Sequence, residues 1–168
     1  EHAAPELVIG DWVFRQGTSL ESYLIASVVQ SEFSHIGMVV QTVPEVLILH
    51  STTDDLQDEA NQVMLSSWSQ FTDARLATRV AVARPEFLTR EQRIRISQAL
   101  MAQLGLPFVL ASRAEPHAYC TTVLADAIQR EDPSFSPVWT QVQQPMLRGE
   151  YLHPQAFADM PRLNWVVP

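Results

Sequence analysis

Three side chains in this sequence have the chemistry of a nucleophilic catalytic site: one cysteine and two histidines. Cys120 is the only cysteine, and it lies where the sequence predicts the first turn of a helix, followed by Thr121 and Thr122. The positive end of a helix dipole favours the thiolate, which is the nucleophilic form of cysteine. A nearby histidine would serve as its base, and a further polar group would orient that histidine. A lone cysteine is more often a small buried apolar residue, so the pattern alone leaves both interpretations open.

The two histidines are candidates for the base and for its orienting partner. His35 begins a β-rich apolar run that extends to Val40, and His50 ends the next run, Val46–His50, after a turn signal at residues 44–45. In an antiparallel hairpin, the start of one strand and the end of the next lie at the same end of the sheet. The sequence therefore predicts that His35 and His50 lie close together. Histidines at strand ends are also common as structural or solvent-facing residues, and spacing does not separate these roles.

The surrounding elements, which must position these residues, mix strand and helix patterns in the order typical of an α+β fold. Further strands are predicted at Trp12–Arg15, Val63–Leu65, Ala77–Arg84 and Leu163–Val167. Helical segments are predicted at Ser19–Gln30, at Ser66–Phe71, after an N-cap at Thr89, from Tyr119–Cys120 onward and at His153–Pro154. Residues 51–60 and 131–149 are predicted to be irregular. We expect one domain over residues 1–168, with the Cys120 helix packed against an antiparallel sheet.

The composition excludes several classes of ligand. The 168-residue chain is 46% hydrophobic, has a formal net charge of −8, and all of its basic residues are arginine. An acidic chain without a basic stripe is not expected to bind nucleic acid or anionic membrane surfaces, and no apolar run approaches the roughly 20 residues that cross a bilayer. The acidic residues at 54–59 lack the spacing of a cation-binding loop, and no Cys or His pair is closely spaced, so no metal site is predicted. The N-terminus lacks an initiator Met, which suggests a trimmed or processed chain.

Several motifs, in order, resemble one known family. They are Gly10–Gly17 (GDWVFRQG), Ser34–Val39 (SHIGMV), Tyr119–Cys120 at a helix start, and the later Gly105–Phe108 (GLPF) and Leu152–Phe157 (LHPQAF). This set is similar to the circularly permuted NlpC-type, papain-like cysteine hydrolases, specifically the YiiX/YebB-like group of bacterial proteins. In that group the histidine motif precedes the cysteine motif, as it does here. The resemblance spans nearly the whole chain and implies a permuted papain-like fold.

The resemblance implies a role for each site residue. Cys120 would be the nucleophile, His35 the base and His50 the orienting group, at a position where many relatives have Glu. The backbone N–H of Cys120 would stabilise the oxyanion, together with Tyr119 or Tyr23. The chain departs from the family pattern at Phe108, where relatives usually have Tyr, and at Cys120–Leu124 (CTTVL), which lacks the Glu of the family's first helical turn.

The implied activity is hydrolysis of an amide bond through a thioester, on a cell-wall peptide or another γ-linked bacterial peptide, with no cofactor. Two alternatives remain open: a lipid ester or amide hydrolase or transferase that uses the same Cys–His pair, and a binding module of the same fold with weakened catalysis. The expected partner is thus a small peptide or a lipid-like acyl substrate. A bacterial cell envelope or periplasm is favoured over the cytoplasm. The oligomeric state is left open.

Overall fold

The chain forms an antiparallel sheet with helices packed against it, in a computed structural model that describes residues 4–18, 31–53 and 61–168. The strands are β1 (Trp12–Gly17), β2 (His35–Gln41), β3 (Leu47–Thr52), β4 (Gln62–Ser67), β5 (Ala77–Pro85), β6 (Thr140–Gln144), β7 (Leu147–Tyr151) and β8 (Leu163–Val167). The helices are α1 (Trp68–Phe71), α2 (Arg90–Met101), α3 (Cys120–Glu131) and α4 (Pro154–Ala158). Six strands form the main sheet in the order β4-β3-β2-β1-β5-β8, and β6 pairs with β7 in a separate hairpin.

The main sheet is buried on both faces, and alternate residues of each strand enter different cores. On one face, apolar side chains such as Phe14, Ile36 and Met38 pack in a large core with α2, α3 and α4. On the other face, Val13, Val39 and their neighbours pack in a smaller core around Phe71 of α1. We call these the helix face and the Phe71 face of the sheet. The polar side chains carried by the strands must therefore be assigned to one face or the other.

The turn before β1 is fixed by a buried carboxylate. Asp11 is fully buried, and its two side-chain oxygens lie 2.8 and 2.9 Å from nitrogens of the Arg84 guanidinium. The same carboxylate accepts a hydrogen bond from the backbone N–H of Val8. Gly10 has a φ of 96°, a conformation that favours glycine, and a Cβ there would lie 2.6 Å from Arg93. The Gly-Asp pair of the first motif thus sets the entry of the chain into β1.

Most predicted elements are confirmed. The predicted α+β class, the antiparallel sheet, the helix after Thr89, the helix from Cys120 and the strand Leu163–Val167 are all present. The prediction of an irregular segment over residues 131–149 is wrong, because β6 and most of β7 lie there. The predicted helix Ser19–Gln30 and most of the acidic loop after residue 53 lie outside the described residues.

Candidate active site

A buried chain of hydrogen bonds links three polar residues on the Phe71 face of the sheet. His35 Nε2 lies 2.8 Å from His50 Nδ1, and His50 Nε2 lies 2.8 Å from the Oγ of Ser66. His35 is the first residue of β2, His50 lies in the second half of β3, and Ser66 is the penultimate residue of β4. The strand register brings them together, because β3 pairs with β4 such that Ile48 lies opposite Ser66 and His50 opposite Met64. The predicted proximity of His35 and His50 is confirmed.

The hydrogen bond between His35 Nε2 and His50 determines which nitrogen of His35 can act as a base. Within the part of the chain that the structure describes, Nδ1 of His35 takes part in no hydrogen bond, whereas Nε2 is engaged by His50. If His35 donates from Nε2, its Nδ1 carries a lone pair and can accept a proton. A nucleophile–base–orienter arrangement requires this: one imidazole nitrogen accepts the proton and the other binds the orienting group.

The surroundings of His35 keep its imidazole neutral. The ring stacks on Phe71 at a centroid distance of 5.7 Å, and Arg15 lies directly opposite His35 across the β1–β2 pair. The Arg15 guanidinium also lies 4.7 Å from the centre of the Phe71 ring. Burial lowers the pKa of His35 well below 6.5, and the positive charge of Arg15 and the neighbouring His50 lower it further. The base form of His35 is therefore present throughout the neutral pH range.

Cys120 is the first residue of α3, and its neighbours cap that helix. The backbone N–H of Tyr119 donates to the Oγ1 of Thr122 at 3.0 Å, which supplies one half of a capping box. Thr121 donates from Oγ1 to the carbonyl of Leu152 at 2.7 Å, and the Tyr119 hydroxyl accepts from the N–H of Leu152 at 2.9 Å. The start of α3 is thus clamped to the segment that leads into α4, and the position of Cys120 is well defined.

Backbone N–H groups at the start of α3 and at the start of β2 lower the pKa of the Cys120 thiol. The donors are the N–H groups of Ile36, Thr121 and Cys120 itself, and the Arg15 charge also favours the thiolate. Burial outweighs all of these and raises the pKa of Cys120 to about 11. The sequence suggested that the helix dipole would favour a thiolate, and the structure corrects this: burial keeps both the Cys120 thiol and the His35 imidazole neutral at rest.

The sheet separates the thiol from the base, and the two meet only at its end. Cys120 belongs to the core on the helix face, whereas His35 follows the alternation of Gly37 and Val39 towards the Phe71 face. The described residues contain no hydrogen bond between the Cys120 sulfur and His35. The contact that joins the two sides is the N–H of Ile36, the residue after His35. Catalytic hydrogen bonds are often long before substrate binds.

The other predicted site residues have different outcomes. Burial raises the pKa of Tyr119 to about 12, and its hydroxyl is engaged by Leu152; its role as an oxyanion donor stays a prediction. Tyr23 lies outside the described residues. Sequence reasoning missed Ser66, because its contact with His50 depends on the register of two strands. His153 is also buried, and burial lowers its pKa.

The side chains of this site are not arranged as a set of metal ligands. Among the described residues, no group of three or more His, Cys, Asp or Glu side chains is arranged to hold one. The facing nitrogens of His35 and His50 are joined to each other, and the outer nitrogen of His50 faces Ser66. A cation between the rings would have to break this bond, so no step is assigned to a metal.

A cavity of about 210 Å³ lies beside the residues that precede β2. Its wall carries an ion pair in which Arg79 and Glu32 are 2.8 Å apart. Its apolar surface includes Phe33, two residues before His35, and Trp165 of β8. The cavity therefore combines charged and aromatic groups near the start of β2.

Comparison with known proteins shows the fold. The chain is similar to a solved structure whose title describes metalloprotein yiiX from Escherichia coli O157:H7, with a TM-score of 0.74, 21% sequence identity and 94% of each chain covered. No protein-family model and no curated protein matches the sequence. The chain therefore has a YiiX-like α+β fold. Across the described residues, no helix has the length and apolarity needed to cross a membrane.

Proposed function

We propose that this protein is a thiol hydrolase of the permuted papain-like type, with Cys120 as the nucleophile, His35 as the base and His50 as the group that orients the base. One observation carries the proposal: His35 Nε2 lies 2.8 Å from His50 Nδ1, which leaves Nδ1 of His35 to act as the base. The N–H of the next residue, Ile36, lowers the pKa of the Cys120 thiol. In this proposal, the nucleophile and the base come from distant parts of the chain and act together at the end of the sheet where β2 begins.

The reaction proceeds through a thioester. His35 Nδ1 takes the thiol proton as the Cys120 sulfur forms a bond to the substrate carbonyl carbon, and the carbonyl electron pair moves to oxygen. The backbone N–H of Cys120 donates to this oxyanion. The tetrahedral intermediate then expels the amine or alcohol, which receives the proton from His35. Water, deprotonated by His35, attacks the thioester and releases the acid and the thiol.

The proton transfer is coupled to attack. A thiol with a pKa of about 11 is thiolate to only about 1 part in 10⁴ at pH 7. A preformed ion pair therefore contributes little to the resting site, and turnover depends on His35 accepting the proton during the reaction. This requirement makes the loss of His35 nearly as damaging as the loss of Cys120.

An activated ester tests the chemistry without knowledge of the natural substrate. With p-nitrophenyl acetate, we expect a burst of p-nitrophenolate equal to the enzyme concentration and acetylation at Cys120 by mass spectrometry. The chain has no lysine, so ε-amino groups cannot contribute acetylation. Cys120→Ala should abolish the burst and His35→Gln should slow it by about 10²- to 10⁴-fold, whereas His117→Ala, which changes a histidine bonded to the Glu115 carbonyl, should have no effect. A full burst from Cys120→Ala would overturn the proposal.

The proposed substrate is a bacterial peptide amide. The family resemblance supports it. Release of new amino groups from soluble cell-wall peptides, measured with a fluorogenic amine reagent, tests this choice. Release of fatty acid from a lipid amide or ester, with no peptide cleavage, would favour the lipid alternative.

A second candidate is a binding module that has kept the fold and lost turnover. Two observations favour it: burial raises the pKa of Cys120, and the described residues contain no Cys120–His35 hydrogen bond. Iodoacetamide separates the two candidates. If His35 accepts the thiol proton during attack, Cys120 is alkylated at neutral pH and the rate falls in His35→Gln. A binding module alkylates slowly, and His35→Gln leaves that rate unchanged.

A further inference from the structure

His153 is a buried histidine with an imidazole nitrogen that no hydrogen bond satisfies. The residue is 9% exposed, and its Nε2 has no access to solvent and no hydrogen-bond partner within residues 4–18, 31–53 and 61–168. It directly precedes α4, but its side chain does not cap that helix. An unpaired buried polar atom costs about 1–3 kcal/mol, so each such atom in a folded protein calls for a specific explanation. A partner that is present only during a reaction is one explanation.

The backbone next to His153 is bonded to both neighbours of Cys120. The N–H of Leu152 donates to the Tyr119 hydroxyl at 2.9 Å, and the carbonyl of Leu152 accepts from Oγ1 of Thr121 at 2.7 Å. Leu152 and Cys120 also belong to the same core, on the helix face of the sheet. His153 therefore follows a residue that is fixed against the start of α3, on the side of the sheet that holds the thiol.

The residues after His153 are bonded to the segment that leads into β2. Gln155 Oε1 accepts from the N–H of Glu32 at 3.0 Å and from the Oγ of Ser31 at 3.3 Å, and β2 begins at His35. His153 thus lies on the short stretch of chain that is bonded on one side to the start of α3 and on the other to the approach to β2. These are the two elements that carry the proposed nucleophile and base.

We propose that His153 is a catalytic residue whose Nε2–H donates a hydrogen bond to the oxyanion formed when Cys120 attacks a carbonyl carbon. This inference rests on the proposed function, because it adds a donor to the same acyl transfer. As the bond between sulfur and carbon forms, the carbonyl electron pair moves to oxygen. His153 keeps its proton throughout and supplies a hydrogen bond to that oxygen.

The unengaged state of His153 suits it to this role. The Tyr119 hydroxyl, which the sequence predicts as a donor, is already held by the N–H of Leu152. A donor without a partner at rest has no bond to break when charge develops, and a donor in a site without water stabilises that charge more strongly than one in water. Burial lowers the pKa of His153, so its ring is neutral at pH 7 and carries one proton, which the proposal places on Nε2.

The test compares two reactions of Cys120 that differ in whether an oxyanion forms. Acylation by p-nitrophenyl acetate passes through an oxyanion, whereas iodoacetamide reacts at a saturated carbon and forms none. His153→Gln keeps an N–H donor near the position of Nε2, and His153→Leu removes it. His117→Leu is the matched control, because it also removes a histidine close to α3 in sequence, one that is bonded to the Glu115 carbonyl. Urea unfolding of each variant shows whether the substitution disturbs the fold.

We expect His153→Leu to slow the p-nitrophenolate burst by about 10²- to 10³-fold, the usual effect of losing one oxyanion donor, and to leave the rate of alkylation at pH 7 within about twofold of wild type. His153→Gln should keep the burst rate within about tenfold of wild type, and His117→Leu should leave both rates unchanged. An equal loss of both rates in His153→Leu would indicate a structural role and overturn the proposal. An unchanged burst in His153→Leu, or equal burst rates in the Gln and Leu variants, would also overturn it.

The tautomer of His153 gives a second readout that needs no turnover. The ¹⁵N chemical shifts of the imidazole nitrogens, in protein labelled on histidine, show which nitrogen carries the proton, and protonation on Nδ1 in place of Nε2 would overturn the proposal. A Cys120-dependent burst that His153→Leu leaves unchanged would overturn only the role of His153. A full burst from Cys120→Ala would overturn the proposed function, and the absence of a burst from wild type would overturn both.

Discussion

His50 occupies the position where many members of the resembled family carry a carboxylate, and this changes the electrostatics around His35, the proposed base. A carboxylate stabilises the imidazolium that forms when the base accepts a proton, whereas a neutral imidazole offers a hydrogen bond and no full charge. Arg15, opposite His35, adds a positive charge nearby, and it contributes to the lowered pKa of His35. These surroundings therefore favour the neutral imidazole of His35 over its protonated, cationic form.

Two substitutions at His50 test whether its role is to accept a hydrogen bond from His35. Gln has an amide oxygen that accepts from His35 Nε2, so His50→Gln should keep the productive tautomer and lose about tenfold or less in the p-nitrophenyl acetate burst rate. Leu offers no acceptor, so His50→Leu should lose about 10²-fold, in line with the cost of an unsatisfied buried donor. Equal rates in the two variants would show that His50 does not orient the base.

Among the individual residues of the candidate site, the sequence predicted Cys120 and His35, which stand in recognisable motifs. It did not predict Ser66, whose contact with His50 depends on the register of β3 and β4. Cys120 and His35 each stand in a recognisable local pattern, and both lie at the predicted ends of their elements. Ser66 has no local signal, because its partner lies 16 residues away on a neighbouring strand. A one-residue change in the β3–β4 register would have turned Ser66 to the other face.

Among the elements, the start of α3 explains a departure from the family pattern. The Glu that relatives carry in the first turn falls at the third helical position, where a capping-box acceptor is expected. Thr122 occupies this position and accepts from the Tyr119 N–H. The replacement therefore keeps the cap and removes a negative charge from the turn that carries the thiol.

Two variants of Thr122 test whether the cap stabilises this helix. Thr122→Val keeps the shape and removes the acceptor, so the free energy of unfolding should fall by about 1 kcal/mol, the usual value of a cap. Thr122→Ser keeps the hydroxyl and should stay within about 0.5 kcal/mol of wild type. Urea denaturation followed by far-UV circular dichroism measures both, and no difference between Val and Ser would argue against the cap.

The glycine of the histidine motif has a packing role on β2. A Cβ at Gly37 would lie 2.6 Å from Ile48 Cγ2, 3.1 Å from the Leu49 carbonyl oxygen and 3.2 Å from His50 Cβ. The absence of a side chain therefore lets β3 approach closely enough for His50 to reach His35. This is the physical reason for a glycine two residues after the base.

Gly37→Ala should accordingly disturb both stability and the site. Because the contacts include backbone, β3 must move, and we expect a loss of about 1–3 kcal/mol in the free energy of unfolding. The ¹⁵N signals of His35 and His50 should also lose the pattern of a bonded pair. A folded Gly37→Ala protein with unchanged histidine signals would contradict this account.

The elements that the sequence predicted best are those with local signals. The helix after Thr89 has a complete capping box, formed with Gln92. The β6–β7 hairpin was missed because its strands are mostly polar, and of Thr140–Gln144 only Val142 is buried. Strands with so little apolar alternation are formed by pairing with each other, which a local pattern does not reveal.

In the whole molecule, the two faces of the main sheet hold different parts of the candidate site. The helix face supplies the large core that fixes α3 and its thiol, and the Phe71 face holds a small core with the polar chain from His35 to Ser66. A buried cysteine in a core, or a buried chain of hydrogen-bonded polar residues, is by itself a common structural arrangement. The catalytic hypothesis depends on their meeting at the end of β2, which a single-residue pattern cannot specify.

Burial of neutral histidines makes the stability of the whole molecule depend on pH. The folded-state pKa of His35 is lowered well below 6.5 by burial, so the unfolded chain binds more protons as the pH falls through 6.5. Stability is therefore fully present above about pH 6.5 and is lost as the pH falls towards 5, by at most about 2 kcal/mol for one histidine. His153, whose pKa is lowered by burial, contributes with the same sign. His35→Gln cannot titrate, so its urea midpoint should change less between pH 7.5 and 5.0 than that of wild type. Identical changes in the two proteins would mean that His35 is not held neutral by the fold.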